Sequence, residues 1–357
     1  MTAAKQYHVI GLMSGSSLDG LDIAYCLFQF ENAKWTFEIK QAKTVAYSAE
    51  WQHKLQNLSL ASAFEFQQTN TDIAKLWATF INEFIAEHQL TSIDAIASHG
   101  HTIFHEPTQS FSTQIGNGAV LAALTQQKVI CDFRSTDVAL GGQGAPLVPT
   151  GDRLLFSAYD AFLNLGGISN IAWNENEQWT AFDISPCNQW LNKLAQQVGL
   201  AFDEDGKLAR VGKLDTHLLA QLNSISFYQK AAPKSLSNKD CELWWQQYFE
   251  TTTNSVEDKL HTLTQHIAQQ IHLSLPNNAT QKKCLVTGGG AFNTYLIEVL
   301  QQTTQWQFSL PDKKLIAFKE ALIFSFLGVL RLVEQPNVFA SVTGAKHDTC
   351  SGAVYLP

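Results

Sequence analysis

Three stretches of this chain hold residues whose types and spacing could carry chemistry. In Phe182-Asp183-Ile184-Ser185-Pro186-Cys187-Asn188 a carboxylate stands where an extended run stops and a helix beginning at Asn188 takes over. Strand ends that face a cleft are where general bases sit. Asp183 could equally be a simple helix-approach cap. The second stretch, Gly11-Leu12-Met13-Ser14-Gly15-Ser16-Ser17-Leu18-Asp19-Gly20, reads as a small-residue turn between two strands. Gly11, Gly15 and Gly20 would permit positive φ and bring backbone N–H groups close to an anion, with hydroxyl donors added by Ser14, Ser16 and Ser17. A phosphate fits that description, and Asp19 beside it would hold a divalent cation. An ordinary hairpin turn has the same composition. Neither G-x-x-x-x-G-K-[ST] nor a G-x-G-x-x-G opening a helix is present to decide the matter.

The third stretch is Val286-Thr287-Gly288-Gly289-Gly290-Ala291-Phe292-Asn293, which ends a strand and opens a helix. Bare backbone and the positive end of the helix dipole would coincide there, so a nucleotide could rest against it. Close helix–strand packing also calls for glycine. His99, His101 and His105 are spaced H-x-H-x-x-x-H and could bind zinc, although the third ligand would have to fold back. Gly141-Gly142-Gln143-Gly144-Ala145-Pro146-Leu147-Val148-Pro149 is too rich in glycine and proline for helix or strand and is expected to be a loop at a domain junction.

The elements that would position these stretches occur in the same order twice. Two strands flank the first turn, and a third is expected over residues 36–47. A helix over 70–87, capped by Asn70 or Thr71, follows from Ile73, Leu76, Trp77, Phe80, Ile81 and Phe84 at helical spacing. A strand over 93–100, a short helix over 117–127 and a strand over 129–133 complete β-β-β-α-β-α-β. In the second half, residues 161–173 repeat strand, turn, strand, and 179–183 add a third. Beyond a partly helical excursion come a helix over 256–273, a strand over 283–287, a helix from 293, a strand near 308 and a helix over 319–333. Such self-similarity marks a duplicated domain. Two α/β lobes of this kind would leave a cleft for the glycine turns.

With 357 residues, 45% of them hydrophobic, the chain can bury a large core and divide into two domains. Its 32 acidic residues against 24 basic ones, net charge −8, with no Lys/Arg run, argue against nucleic acid and anionic membrane as partners. Six cysteines without a C-x-x-C suit reduced thiols. Neither a signal peptide nor a membrane span is expected, which points to the cytoplasm.

The phosphate-turn residues carry a resemblance. Gly11-Leu12-Met13-Ser14-Gly15-Ser16-Ser17-Leu18-Asp19-Gly20 resembles the signature of anhydro-N-acetylmuramic acid kinases, of the sugar kinase, Hsp70 and actin superfamily. Other segments agree in order, among them Ser98-His99-Gly100-His101-Thr102, Asp132-Phe133-Arg134, Asn164-Leu165-Gly166-Gly167, Phe182-Asp183, Pro233-Lys234-Ser235, Lys319-Glu320-Ala321 and Val342-Thr343-Gly344-Ala345. The resemblance implies duplicated actin-like (ribonuclease H-like) α/β lobes with a cleft between them. Lobe I would be residues 1–131 plus 336–357, and lobe II residues 132–335. It also implies ATP-dependent opening of a 1,6-anhydro sugar with phosphorylation of its 6-oxygen, a step of bacterial cell-wall recycling. Asp183 would be the base that activates water. ATP would be held by Ser14, Gly15, Ser16, Ser17, Leu18, Asp19, Gly20 and Leu21 and by Gly288, Gly289, Gly290 and Asn293, with Mg²⁺ at Asp19. Thr102, Arg134, Gln143, Gly144 and Ala145 would hold the sugar. The expected partner is that small anhydrosugar, with a homodimer the one assembly left open.

Some residues depart from the family pattern. Where the family has D-x-G-P-x-N-x-x-x-D, this chain has Ser185 and Asn192, and in H-G-Q-T-x-x-H-x-P it has His101 for Gln, with Glu106 where a basic residue is common. These changes lie near the expected sugar site and spare the phosphate loops. The alternatives are therefore a kinase of the same fold acting on another anhydrosugar such as levoglucosan, or a nucleotide-binding protein without turnover. A zinc hydrolase using His99 and His101 is more distant.

Overall fold

The computed structural model describes residues 5–15, 17–175, 178–232, 234–250, 252–276 and 282–357, apart from the side chains of 175 and 178. Ser16 and Pro233 thus lie outside the described residues. The chain forms two compact units, one of residues 1–157 with 318–357 and the other of 158–317. The sequence-based boundaries fell instead after 131 and 335. The difference comes from residues 132–157 and from the helix Lys313–Leu332, which loses helical φ/ψ at Phe318, next to the unit boundary.

The first unit is built on strands β1 (Lys5–Ser14), β2 (Gly20–Glu31), β3 (Lys34–Ala46), β4 (Ala95–Glu106), β5 (Phe111–Ile115) and β6 (Val129–Cys131). The second carries β7 (Ala161–Leu165), β8 (Ile168–Glu175), β9 (Gln178–Pro186), β10 (Lys283–Thr287) and β11 (Gln307–Ser309), and β12 (Ala353–Tyr355) returns to the first. The sheet orders are β12-β6-β4-β1-β2-β3 and β11-β10-β7-β8-β9. In both, the first strand pairs antiparallel with the second and the second with the third. The first also pairs parallel with the fourth core strand, and that with the fifth. This is one ribonuclease H-like design used twice, as the repeated order of elements led us to expect.

Each sheet is closed by helices whose apolar faces match its pleat. In the first unit Ile73, Trp77, Ile81 and Phe84 of the helix Ala63–Glu87 pack on Ile10, Leu12, Ile23 and Ile96. That helix begins seven residues before the expected Asn70 cap. Ser62 accepts from the N–H of Glu65 at 3.2 Å, the cap half of a Ser-x-x-Glu capping box. Phe64 is 81% exposed, so the opening turns carry no buried stripe for periodicity to detect. Asn70 is used elsewhere, accepting from the Gly116 N–H at 2.8 Å. On the other face of this sheet the residues 318–332 part of the last long helix lies so close that a Cβ at Gly11 would run into the Ala321 carbonyl. In the second unit Trp190, Leu194, Leu263, Ile267 and Leu296 close over Leu163, Leu165, Ile171 and Val286.

Two further expectations change. β4 does not stop at Gly100 but continues to Glu106 and forms a hairpin with β5. Gly100 has φ +81°, so the glycine bends the strand without ending it. The glycine-rich loop closes earlier than expected, because Val148–Leu155 is helical with Pro149 in its first turn, where its missing N–H costs nothing. Among the described residues no helix is long and apolar enough to cross a membrane.

Candidate active site

The first unit gathers much of the expected site into one cavity. A space of about 330 Å³ is lined by Met13, Ser14, Gly15, His99, Thr102, His105, Arg134 and Ala145. Five of these, Ser14, Gly15, Thr102, Arg134 and Ala145, are site residues expected from the sequence. β1 delivers Ser14 and Gly15 at its end, β4 delivers Thr102 beyond Gly100, and Arg134 opens the short helix Ser135–Ala139.

The glycines of the phosphate turn act differently from the sequence expectation. Gly11, Gly15 and Gly20 are not among the residues with positive φ; among the described residues of the turn that conformation falls to Leu18, φ 60°. Gly11 and Gly20 are demanded by close approach, since a Cβ at Gly20 would run into the Val45 carbonyl. Only Gly15 is open, its nearest Cβ neighbour being Ser17 Oγ at 3.7 Å. Leu21 is fully buried, so its side chain packs in the core and only its backbone could meet a ligand. Ser17 and Asp19 are exposed on the turn.

Ser14 is held by a chain of buried donors and acceptors. The Trp77 indole N–H donates to Tyr47 OH at 3.0 Å, and Tyr47 OH lies 2.8 Å from Ser14 Oγ. Ser14 Oγ is in turn 3.0 Å from His101 Nδ1. An indole can only donate. Tyr47 therefore accepts from Trp77 and satisfies its own hydrogen by donating to Ser14. Burial pushes the Tyr47 phenol up to about 12, so it keeps that hydrogen. Burial also lowers the His101 pKa, against its bond to Ser14; a neutral imidazole is then the resting form.

Arg134 is fixed by the same logic. His99 Nδ1 lies 2.9 Å from the Gly100 carbonyl, which can only accept, so Nδ1 carries the proton. Its Nε2 lone pair then receives Arg134 Nη2 at 2.8 Å and Nε at 3.3 Å. Burial, then the adjacent guanidinium, takes the His99 pKa down to about 3, and this histidine stays neutral. Neither ring nitrogen is left for a metal, which removes the zinc alternative at His99. Arg134 Nη1 donates to the Gly144 carbonyl at 2.5 Å. Gly144, with φ +65°, is itself held by its N–H to Asp137 Oδ2 at 2.7 Å. Asp137 Oδ1 accepts from Thr343 Oγ1 at 2.6 Å, and Gln143 N–H donates to the Thr343 carbonyl at 2.9 Å. The exposed Gln143 thus comes to the site region through its backbone.

A divalent cation would find one fitting donor here. The Asp19 carboxylate is exposed, and its charge is felt at Asp22, whose carboxyl is held above the ordinary range by burial and then by Asp19, against the hydrogen bond from Thr44. A single open carboxylate suits Mg²⁺, which keeps several waters and takes phosphate oxygens as its other ligands.

In the second unit Asp183 lies on β9 next to a bulge. Asn170 pairs with Asp183 and Ser169 with Ser185, so Ile184 is the extra residue. A bulge re-aims the neighbouring side chain. Asp183 Oδ2 accepts from Leu236 N–H at 2.9 Å and from Ser235 Oγ at 3.1 Å. Half-buried, its carboxyl is raised above the usual aspartate range by desolvation, against those two hydrogen bonds. Ser185 is fully buried, with its hydroxyl 3.0 Å from that of Ser169. The departure at 185 is therefore absorbed by the sheet.

The glycine turn after β10 is a 3₁₀ turn over Gly289–Phe292, and the helix Thr294–Thr303 begins after it. Asn293 caps that helix, its Oδ1 accepting from Leu296 N–H at 3.0 Å. Gly288, φ +82°, would drive a Cβ into Asn164, and a Cβ at Gly290 would stand 2.7 Å from Leu165 Cβ. Gly289 alone is exposed and has room, its nearest Cβ neighbour lying at 3.5 Å. The packing alternative thus accounts for two of the three glycines.

Sequence reasoning missed Tyr47, Trp77 and Asp137. Tyr47 ends an expected strand and Trp77 lies in a helical apolar stripe, and nothing local marks the polar handle that each turns inward. Asp137 stands in a run to which the sequence assigns no element, and its partner Thr343 lies 206 residues away.

Comparison with known proteins points the same way. A family model described as "Anhydro-N-acetylmuramic acid kinase" matches residues 7–357. A protein of that name from Pseudomonas syringae pv. tomato is 36% identical, covering 98% of this chain and 99% of its own. One from Saccharophagus degradans is 33% identical with 98% of both chains covered.

Proposed function

The chain belongs to the anhydro-N-acetylmuramic acid kinase family, and from that premise we propose that it opens anhydro-N-acetylmuramic acid with water and phosphorylates the freed 6-oxygen from ATP. The reading is carried by the cavity that joins Ser14 and Gly15 of the phosphate turn to Thr102, Arg134 and Ala145.

Asp183 accepts a proton from water, and the water oxygen bonds to the anomeric carbon of the sugar. The bond from that carbon to the bridging 6-oxygen breaks. The 6-oxygen then takes the γ-phosphoryl group, leaving ADP. A raised carboxyl pKa favours this role, because a base close to the working pH takes up the proton with less penalty. Ser14, Gly15 and the turn behind them meet phosphate with a hydroxyl and bare N–H groups. Mg²⁺, held at Asp19, would supply charge neutralisation for phosphoryl transfer. Arg134 and Thr102 hold the sugar, with the 143–145 loop fixed beside them. Exposed Gly289 offers its backbone to the nucleotide.

The family departures bear on which sugar is used. His101 is buried against Ser14 and is not among the cavity-lining residues, and Ser185 is buried in the sheet. The departure at His101 therefore leaves the lining of the first unit's cavity unchanged. The deciding measurement is ADP release with the two anhydrosugars side by side. Turnover on anhydro-N-acetylmuramic acid with oxygen from solvent water at the anomeric carbon is expected. ATP binding without ADP release on either sugar would overturn the proposal.

A further inference from the structure

The segment Pro233-Lys234-Ser235 matches the family in sequence, yet the reaction proposed for this chain gives it no part. We propose that residues 234–236 form a strap that positions Asp183 and selects Oδ1 as the oxygen that takes the proton. This deepens the proposed function and rests on Asp183 being the base.

β9 is the outer strand of the second sheet, so its free edge needs a partner for its N–H groups. At Asp183 that partner is the strap, the Asp183 N–H donating to the Lys234 carbonyl at 3.0 Å. The next two residues turn back onto the side chain. Both donors, Leu236 N–H and Ser235 Oγ, converge on Oδ2, and among the described residues no hydrogen bond to Oδ1 is found. An oxygen that accepts two hydrogen bonds has its lone pairs in use, which leaves the proton-accepting pair on Oδ1.

The strap is anchored on either side of Ser235. Lys234 Nζ donates to the Tyr228 carbonyl at 3.2 Å and the Phe227 carbonyl at 3.4 Å, and stands over the Phe227 ring at 4.8 Å. Leu236 is buried in the core of this unit. Ser235 is the exposed residue between two fixed ones. Its hydroxyl is therefore presented to the carboxylate by a preorganised backbone.

The other titratable group of this unit felt near Asp183 is Cys241, on the helix Asn238–Tyr248; burial pushes its thiol up to about 11. Lys234 is drawn below its ordinary value by burial and then by Lys230. Below neutrality the thiol is uncharged and the ammonium charged, so an acid limb of the rate reports on Asp183.

The test compares Ser235→Ala, Ser235→Thr and Asp183→Asn in full-length enzyme, by the pH profile of kcat with anhydro-N-acetylmuramic acid and ATP. Removing one donor to the ionised carboxylate raises its pKa. Ser235→Ala is expected to move the acid limb upward by about 0.5–1 pH unit and to lower kcat about tenfold through looser orientation. KM for ATP stays put, and Ser235→Thr, which keeps the hydroxyl, restores the limb. An Ala variant with the wild-type limb and kcat would overturn the strap while leaving the base intact, provided Asp183→Asn is inactive. An active Asp183→Asn would overturn both. Because Ser235 is exposed, its loss is not expected to unfold the protein, which thermal unfolding checks.

Discussion

The two sheets share one strand order, and even one backbone detail: Gly100 in β4 and Gly288 after the equivalent β10 have φ of +81° and +82°. Beyond those glycines the two chain paths diverge. In the first unit the strand continues and presents His101, Thr102 and His105, with the phosphate turn beside it carrying Ser14. In the second, the chain folds into Gly289–Phe292 and the neighbouring β7–β8 turn is reduced to Gly166 and Gly167. One copy of the fold equips its turns with side chains, the other with bare backbone, and the proposed base of the second unit sits on its edge strand. Substitutions should therefore act in different ways in the two units.

The largest effect is expected where the second unit departs from its backbone-only pattern. Asp183→Asn keeps shape and removes basicity. General-base assistance is worth roughly 100- to 10,000-fold, so kcat should fall by about that factor with ATP binding retained. Asp183 caps no helix, its carboxylate holding Ser235 and Leu236 instead, and an Asn oxygen can keep those two bonds, so near-normal turnover would make Asp183 structural. The pH profile adds a sign. The base works ionised, and burial holds its pKa above the ordinary aspartate value, so wild-type kcat should decline on the acid side before an unperturbed aspartate would protonate. Any residual rate of the Asn variant should lack that limb.

The same contrast explains what could be read from the sequence. Backbone chemistry leaves local marks, and β7, β8, β10 and the glycine turn are legible because glycines and alternating residues are contiguous, whereas the strand expected to stop at Asp183 runs on to Pro186, the bulge at Ile184 hiding its continuation. Side-chain chemistry in the first unit was only half legible. Ser14 and Arg134 lie in recognisable runs. The groups that orient them do not: Trp77 reaches Tyr47 across 30 residues and Ser14 reaches His101 across 87. Their pairing exists only once β1 and β4 are adjacent, with Ser14 beside His101 in the register. The missed β5 has the same origin, because Gly100 reads as a stop until its positive φ is seen to bend a strand that continues.

Arg134→Lys tests the first unit directly. A lysine keeps one charge and loses the planar fork that meets His99 and Gly144 together. Losing a charge-assisted hydrogen bond costs about 1.5–3 kcal/mol, so kcat/KM for the sugar should fall roughly 10- to 100-fold. KM for ATP should change little. A lysine variant with unchanged sugar kinetics would show that the fork serves only the 143–145 loop.

A smaller effect is expected at the buried chain behind Ser14. Tyr47→Phe leaves the Trp77 indole N–H without its acceptor at a site closed to water. An unsatisfied buried donor costs about 1–3 kcal/mol, readable as a lower denaturant midpoint at unchanged m-value. Ser14 would lose one of its two restraints, so KM for ATP should rise by a few fold. If stability fell and KM for ATP did not move, the chain would be part of the core and not of the phosphate turn.

The sharpest test returns to the bare backbone of the second unit. Gly288, Gly289 and Gly290 are adjacent, but only Gly289 can take a side chain without meeting a neighbour, its closest contact being Asn188 Nδ2 at 3.5 Å. Substituting Gly290 would confound folding with binding, since the new Cβ would press on Leu165. Gly289→Val avoids that, because the glycine is exposed, lies outside the regular helix and has no positive φ to strain. The variant should fold with wild-type stability. If the turn offers its backbone to the nucleotide, the isopropyl group crowds the approach and ATP affinity should fall about tenfold, roughly 1.4 kcal/mol, with the affinity for sugar unchanged. Should folded Gly289→Val bind ATP as the parent does, the turn serves packing through Gly288 and Gly290 alone, and nucleotide recognition would have to rest on the side chains of the first unit.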